Sequence, residues 1–143
     1  MASLKEPFKI LIVEDEPLLC SYVSNIFREF GFEISGCASS GPEAIALAEQ
    51  TRPQLAVVDI RLTGPADGVE IARILRDRFN VSTIFLSGVE DEATIARARA
   101  LRPAGFLKKP FLPSQMLDAI QEATTAMSAG EHPPGAAPKA EPG

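Results

Sequence analysis

Ile10-Leu11-Ile12-Val13-Glu14-Asp15 is the stretch from which the fold of this chain can be read. Consecutive apolar residues cannot alternate between a core and a wet face, so this run suits a central strand of a parallel sheet, buried on both sides. Leu55-Ala56-Val57-Val58-Asp59 and Ile84-Phe85-Leu86-Ser87 repeat the pattern, each apolar run stopping at a polar residue. Weaker strands are expected near Glu33 to Ala38 and at Gly105-Phe106-Leu107.

Helical patterns fill the intervals. Leu19, Tyr22, Val23, Ile26, Phe27 and Phe30 recur at helical spacing as one stripe, closed by Gly31. Ser40-Gly41-Pro42-Glu43 supplies a cap residue, an early proline and an acid for a second helix through Ala44, Ile45 and Ala48 to Thr51. Val69, Ile71, Ile74, Leu75 and Phe79 mark the buried face of a third, leaving Arg73, Arg76 and Asp77 to solvent. A fourth helix, rich in Ala and Arg, runs from about Asp91 to Leu101, and Leu117, Ile120, Ala123 and Met127 mark a fifth. Strict alternation with right-handed crossovers predicts an α/β, flavodoxin-like (βα)5 fold, a doubly wound five-stranded parallel sheet with strand order 2-1-3-4-5.

Sheets of this kind bind ligands beyond the carboxyl ends of their strands. The chain puts Glu14 and Asp15 after the first strand, Asp59 at the end of the third, Ser87 at the end of the fourth and Lys109-Pro110 after the fifth. Carboxylates gathered in a partly dry cleft repel one another unless a divalent cation balances them, and hard oxygen donors suit Mg²⁺. Lys109 can pair with one oxygen of an added phosphoryl group and the Ser87 hydroxyl with another. Asp59 is then left as the nucleophile.

Taken in order, Val13-Glu14-Asp15-Glu16, Val57-Val58-Asp59-Ile60-Arg61-Leu62 with Asp67-Gly68, Leu86-Ser87-Gly88 and Phe106-Leu107-Lys108-Lys109-Pro110-Phe111 resemble the receiver domain of bacterial two-component response regulators, over about residues 8–127. The resemblance implies a stand-alone receiver whose Asp59 accepts a phosphoryl group from a sensor histidine kinase or phosphotransfer protein. It implies Glu14, Asp15, the Asp59 carboxylate and the backbone carbonyl of Arg61 around Mg²⁺, Lys109 on the phosphoryl group, and Ser87 and Phe106 reorienting on activation. Lys108 is the alternative lysine, but Lys109 directly precedes Pro110, where the family often has a cis peptide. Output would pass through the surface of the fourth helix, fifth strand and fifth helix, to a downstream protein or to a second copy in a homodimer. The resemblance makes the chain no enzyme beyond Mg²⁺-dependent self-phosphorylation and slow autodephosphorylation, with Arg61 and Val89 influencing how long the phosphoryl group stays. A phosphorelay intermediate and a phosphate sink are the alternative roles. Two stretches depart from the family pattern: Thr63-Gly64-Pro65-Ala66 lengthens the loop after Asp59, and Arg102-Pro103-Ala104-Gly105 replaces the usual turn, so the fourth helix is expected to end abruptly at Pro103.

Other readings explain parts of the pattern. Asp15 could cap the first helix, with Glu14 and Glu16 at its positive end, whereas Asp59 closes an apolar run well before the next helix begins. Ser87 could be an ordinary strand-end hydroxyl, Lys109 a solvated charge, and Phe106 a core aromatic as readily as a moving one. The arginines of the third and fourth helices suit a solvated face or a docking surface. A flavin- or nucleotide-binding module would need glycine and free amides after the first strand, where acids stand. An aspartyl-nucleophile hydrolase would want a second acid where Asp59-Ile60-Arg61 offers arginine. A receiver-like module working without phosphorylation is countered by retention of the whole acid, serine and lysine set.

At 143 residues, with 45% apolar and 23% charged residues, one core suffices. Lys and Arg number 14 against 19 Asp and Glu, and the net charge of -5 opposes the attraction to phosphate backbones, so no direct nucleic-acid partner is expected. Residues 1–7 form an N-terminal extension without the features of a signal peptide, and no apolar stretch approaches the roughly 18 residues that span a membrane. The expected location is the cytoplasm, with no membrane contact. Cys20 and Cys37 lack metal-ligand spacing and are expected to be reduced structural thiols. Residues 128–143 hold four prolines, three glycines and no large apolar residue, which predicts a disordered tail in which His132 ligates nothing. With only this tail downstream, output is expected from the domain's own surface. The fourth helix has chiefly Ile95 and Leu101 as large apolar anchors and is expected to be weakly held. In hydrogen exchange its amides should exchange faster than those of the first helix; equal protection would contradict this.

Overall fold

Continuous apolar runs become inner strands because helices cover both faces of the sheet. The computed structural model describes residues 8–62, 67–88 and 90–128. Five strands, β1 (Lys9–Val13), β2 (Glu33–Ala38), β3 (Leu55–Asp59), β4 (Ser82–Ser87) and β5 (Gly105–Lys108), alternate with five helices, α1 (Pro17–Glu29), α2 (Gly41–Thr51), α3 (Gly68–Phe79), α4 (Glu92–Ala100) and α5 (Pro113–Ser128). All strand pairs are parallel and the order is β2-β1-β3-β4-β5, the flavodoxin-like order expected.

Every residue of β3 and β4 is buried, as are Ile10 to Val13 of β1. The strand period sorts these side chains into two layers. Leu11, Val13, Ala56, Val58 and Phe85 pack with α2, α3 and Ala98 of α4. Ile10, Ile12, Leu55, Val57, Ile84 and Leu86 pack with α1 and α5. Each fully buried Leu, Ile or Phe contributes about 1.5–3 kcal/mol, which holds the strand ends in place.

Side-chain caps start three helices: Ser40 Oγ accepts from the Glu43 amide at 3.3 Å, Asp67 Oδ1 from Glu70 at 3.0 Å and Asp91 Oδ1 from Thr94 at 2.8 Å. The N-cap of α1 is Glu16, without a side-chain cap bond, so Asp15 is not spent on capping. Tyr22 and Phe30, expected in the buried stripe of α1, are 40% and 59% exposed. Tyr22 points away from the Cys20, Val23, Phe27 face, and Phe30 is the C-cap, past the last turn. Met116 completes the buried face of α5 beside Ile120 and Ala123. Helix α4 fully buries only Ala98, with Ile95 and Leu101 partly covered. It stops at Ala100, ahead of Pro103, and Arg102 takes a left-handed φ of 53°.

The cysteines correct the sequence reading. Cys20 and Cys37 are joined as a disulfide, with Cα atoms 6.4 Å apart across 17 positions of sequence. A bulge explains how they meet. Ile10 pairs with Ile34 but Leu11 with Gly36, so Ser35 is an extra residue in β2 and shifts the phase of the strand. Cys37 thereby falls opposite Ile12, on the face that α1 covers.

Among the described residues no helix is long and apolar enough to cross a membrane. The expectations for residues 1–7, the Thr63-Gly64-Pro65-Ala66 loop, Val89 and the tail with His132 lie outside the described residues. Ser128, assigned to the tail by composition, is the last residue of α5.

Helix α3 begins against the end of β3 with no room for a side chain. A Cβ on Gly68 would overlap the Asp59 carbonyl oxygen and lie 2.8 Å from Ile60 Cα, while one on Gly88 would meet only Glu90 Oε2 at 3.9 Å. Gly68→Ala should cost about 2–3 kcal/mol in urea unfolding, and Gly88→Ala less than about 0.5 kcal/mol.

Candidate functional site

Loops at the carboxyl edge of the sheet enclose an open cleft of about 290 Å³ lined by Glu14, Asp15, Glu16, Asp59, Arg61, Gly88, Glu90 and Lys109. Glu14 follows β1 directly, and its amide donates to the Ala38 carbonyl of β2 at 2.8 Å. Asp59 is the last residue of β3, and Lys109 follows β5, its amide bonded to the Ser87 carbonyl at 2.7 Å. The register of β3, β4 and β5 thus carries Lys109 across one intervening strand to Asp59.

Asp59 is only 3% exposed. Its Oδ2 accepts from Lys109 Nζ at 2.9 Å and its Oδ1 from the Arg61 amide at 3.1 Å. Lys109, not the exposed Lys108, is therefore the lysine of the cleft, and the Lys109-Pro110 bond is cis. Glu14 is equally buried at 3% exposure. Its Oε2 accepts from the Glu16 amide at 3.0 Å, while Oε1 has no hydrogen-bond partner and lies 3.8 Å from Lys109 Nζ.

Burial and the adjoining Asp59 carboxyl push the Glu14 carboxyl up to about 8, the Glu16 amide and Lys109 only partly opposing them. Burial also works against the Lys109 ammonium, but its hydrogen bond to Asp59 and the fields of Asp59, Glu14 and Glu16 outweigh that and raise it. Glu14, Asp15 and Asp59 each offer a carboxylate oxygen within 4.8 Å of the others. An all-oxygen donor set, a buried acid driven to protonate by its neighbours and a carboxylate oxygen without a donor fit a hard divalent cation.

Ser87 and Phe106 sit elsewhere. Ser87 ends β4 at 4% exposure, and Gly88, not Ser87, fronts the cleft. Phe106 lies on the sheet face that Ser87 shares with Phe85, half-buried against Phe85 with ring centroids 5.7 Å apart, and the Arg99 guanidinium stands 4.9 Å above its ring. The arginines of α3 and α4 form the solvated face expected, except Arg76, and several are paired on it. Arg97 reaches Asp67 Oδ2 at 2.9 Å, Arg73 pairs with Glu70 and Asp77, and the Arg76 side chain is only 18% exposed.

Glu90 was not singled out from sequence, yet its side chain is 5% exposed and its Oε2 lies 3.8 Å from Arg61 Nε across the cleft. Its Oε1 has no hydrogen-bond partner. The run Glu90-Asp91-Glu92 just past β4 reads as the acidic start of a helix.

The model of the response regulator receiver domain family matches residues 10–121. Over 119 residues the chain is 32% identical to the transcriptional regulatory protein PdtaR of Mycobacterium tuberculosis, covering 83% of this chain and 58% of that protein. It thus spans somewhat over half of that relative's length. It is 26% identical to the chemotaxis protein CheY of Thermotoga maritima, covering 80% of this chain and 95% of that one. A signal receiver domain of a modulated diguanylate cyclase from Desulfovibrio desulfuricans superposes with a TM-score of 0.82 at 32% identity, over 88% of this chain and 100% of that one.

The raised Glu14 carboxyl has a sign that can be tested. Between its ordinary value of 4.5 and about 8, the unfolded chain has released a proton that the folded, metal-free chain keeps. Metal-free stability should therefore decline as pH rises through this window and level off above it. Glu14→Gln should flatten the decline, as read from urea unfolding at about pH 5, 6.5 and 8.

Proposed function

Because this chain belongs to the response regulator receiver family, we propose that it is a phosphorylation-driven switch in which Asp59 accepts the phosphoryl group of a phosphohistidine on a histidine kinase or phosphotransfer protein. The observation that carries the reading is the Asp59 carboxylate itself, buried, facing the cleft, held at 2.9 Å by Lys109 and flanked by Glu14 and Asp15.

An Asp59 oxygen attacks phosphorus as the bond to the donor imidazole breaks, leaving an acyl phosphate on the chain. Lys109 shields Asp59 from the neighbouring acids before transfer, and its ammonium is within reach of a phosphoryl oxygen afterwards. The Arg61 amide fixes the carboxylate plane through Oδ1. Glu14, Asp15, Asp59 and the Arg61 carbonyl would hold Mg²⁺, which when bound offsets charge on the transferring group. The buried Ser87 hydroxyl at the end of β4 would turn to a phosphoryl oxygen, and Phe106, at the far side of β5, would follow.

Donor docking is assigned to the mouth of the cleft. A groove of about 420 Å³ is lined by Leu19, Tyr22, Lys109, Pro110 and Phe111, and the chain neighbours of Leu19 and Phe111, Leu18 and Leu112, are 87% and 63% exposed. Apolar residues clustered beside a reactive carboxylate suit a protein donor. The readout surface is α4, β5 and α5, through a protein target or a second copy. On this reading the chain is the acceptor in a cytoplasmic pathway and not an enzyme acting on other substrates.

Incubation with Mg²⁺ and acetyl phosphate tests the reading directly. Intact mass should show one phosphoryl adduct on the wild type, and none for Asp59→Asn or when EDTA removes the cation. A wild type without the adduct would replace the switch by a receiver-like module that works without phosphorylation.

A further inference from the structure

The cysteine pair takes no part in the cleft chemistry. Cys20 sits in the first turn of α1, 5% exposed, whereas Cys37 is exposed on β2, an edge strand of the sheet. Their Cα separation of 6.4 Å lies within the roughly 4.4–6.8 Å that a disulfide spans. The Ser24 hydroxyl is 3.7 Å from Cys37 Sγ, where it can donate to a thiolate. The bulge at Ser35 is what turns Cys37 toward α1. One buried sulfur, one accessible sulfur and a backbone already at bonding distance are the parts of a two-step thiol exchange.

We propose that Cys20 and Cys37 form a reversible redox modification site, oxidised by low-molecular-weight disulfides of the glutathione class. The Cys37 thiolate attacks one sulfur of the oxidant, forming a mixed disulfide and expelling one thiolate. The Cys20 thiolate then attacks the Cys37 sulfur, closes the intramolecular bond and expels the second. The pair gives up two electrons, the oxidant gains them, and its two thiolates take up the protons that the cysteines released.

Closure ties the first turn of α1 to β2 and so braces the acidic loop, residues 14–16, that leads from β1 into α1. In that loop the Glu14 amide already bonds to the carbonyl of Ala38, the residue after Cys37. In a reducing compartment the pair rests as thiols, and oxidant exposure closes it.

The full chain, reduced and desalted, is incubated with oxidised glutathione and read by maleimide labelling after transfer into denaturant at low pH and readjustment, by intact mass and by thermal unfolding. Two maleimide adducts before treatment, none after it, a mass loss of two hydrogens and a rise of about 10 °C in Tm are expected. Dithiothreitol should restore both thiols and the original Tm without denaturant. Cys37→Ser, a change at an exposed position, should show no Tm difference between the two treatments.

Two thiols that still label after oxidation, or glutathione retained on the wild type without closure, would overturn the proposal. So would a bond that dithiothreitol opens only in denaturant, because that marks a permanent structural link. None of these readouts depends on Asp59, so this proposal and the phosphorylation reading stand or fall separately.

Discussion

Negative charge crowded at one edge of a parallel sheet is the constraint on which the rest of this molecule depends. Glu14, Asp15 and Asp59 bring carboxylate oxygens within 4.8 Å of one another, two of the three residues being almost fully buried. Such a cluster disfavours the fold unless something offsets it. Lys109 supplies one positive charge and Glu14 tends to keep its proton, so the metal-free cleft is only partly balanced. The remaining strain is carried by the apolar layers on both sheet faces, which keep the strand ends from spreading. On the function proposed above the cost is also the means, since a cleft short of positive charge suits a hard cation, and such a cation would offset the charge of a phosphoryl group.

A change at Asp59 has short physical routes outward. Gly68 packs directly on the Asp59 backbone, and its amide bonds to the Ile60 carbonyl at 2.9 Å, so the start of α3 follows the end of β3. The residue before it, Asp67, caps α3 and also holds Arg97 of α4. Arg99, half a turn further along α4, covers Phe106. Helix α4 is thus fastened as much by two arginine contacts as by apolar burial, since Ala98 is its one fully buried residue. Exposed ion pairs and cation–π contacts contribute about 1 kcal/mol or less each. A helix held in this way can shift at small cost, which fits the readout role proposed for it.

Much of this was legible because periodicity carries it. The apolar runs at Ile10, Leu55 and Ile84 mark the inner strands, and alternation with helices leaves few topologies. Once the strands are placed, Asp59 and Lys109 must share an edge, and both do. Less regular features escaped. Tyr22 fits a helical stripe by spacing, but it lies off the Cys20, Val23, Phe27 face of α1 and stays 40% exposed. Glu90 belongs to an acidic run that reads as a helix start, and its burial beside Arg61 is a tertiary contact. The partners of Arg97 and Arg99 lie 30 and 7 positions away, on other elements, and no local pattern announces them.

The sequence by itself determined the sheet, its strand order and the residues gathered at its carboxyl edge, because those follow from local burial patterns and the handedness of crossovers. Only the tertiary structure decided the contacts that depend on phase and packing. A single extra residue at Ser35 brings Cys37 to Cys20, and burial turns the Glu14 carboxyl from an ordinary acid into one raised to about 8. The register of three strands selects Lys109 over Lys108. Each of these outcomes depends on distances between elements remote in sequence, which no stretch of sequence encodes alone.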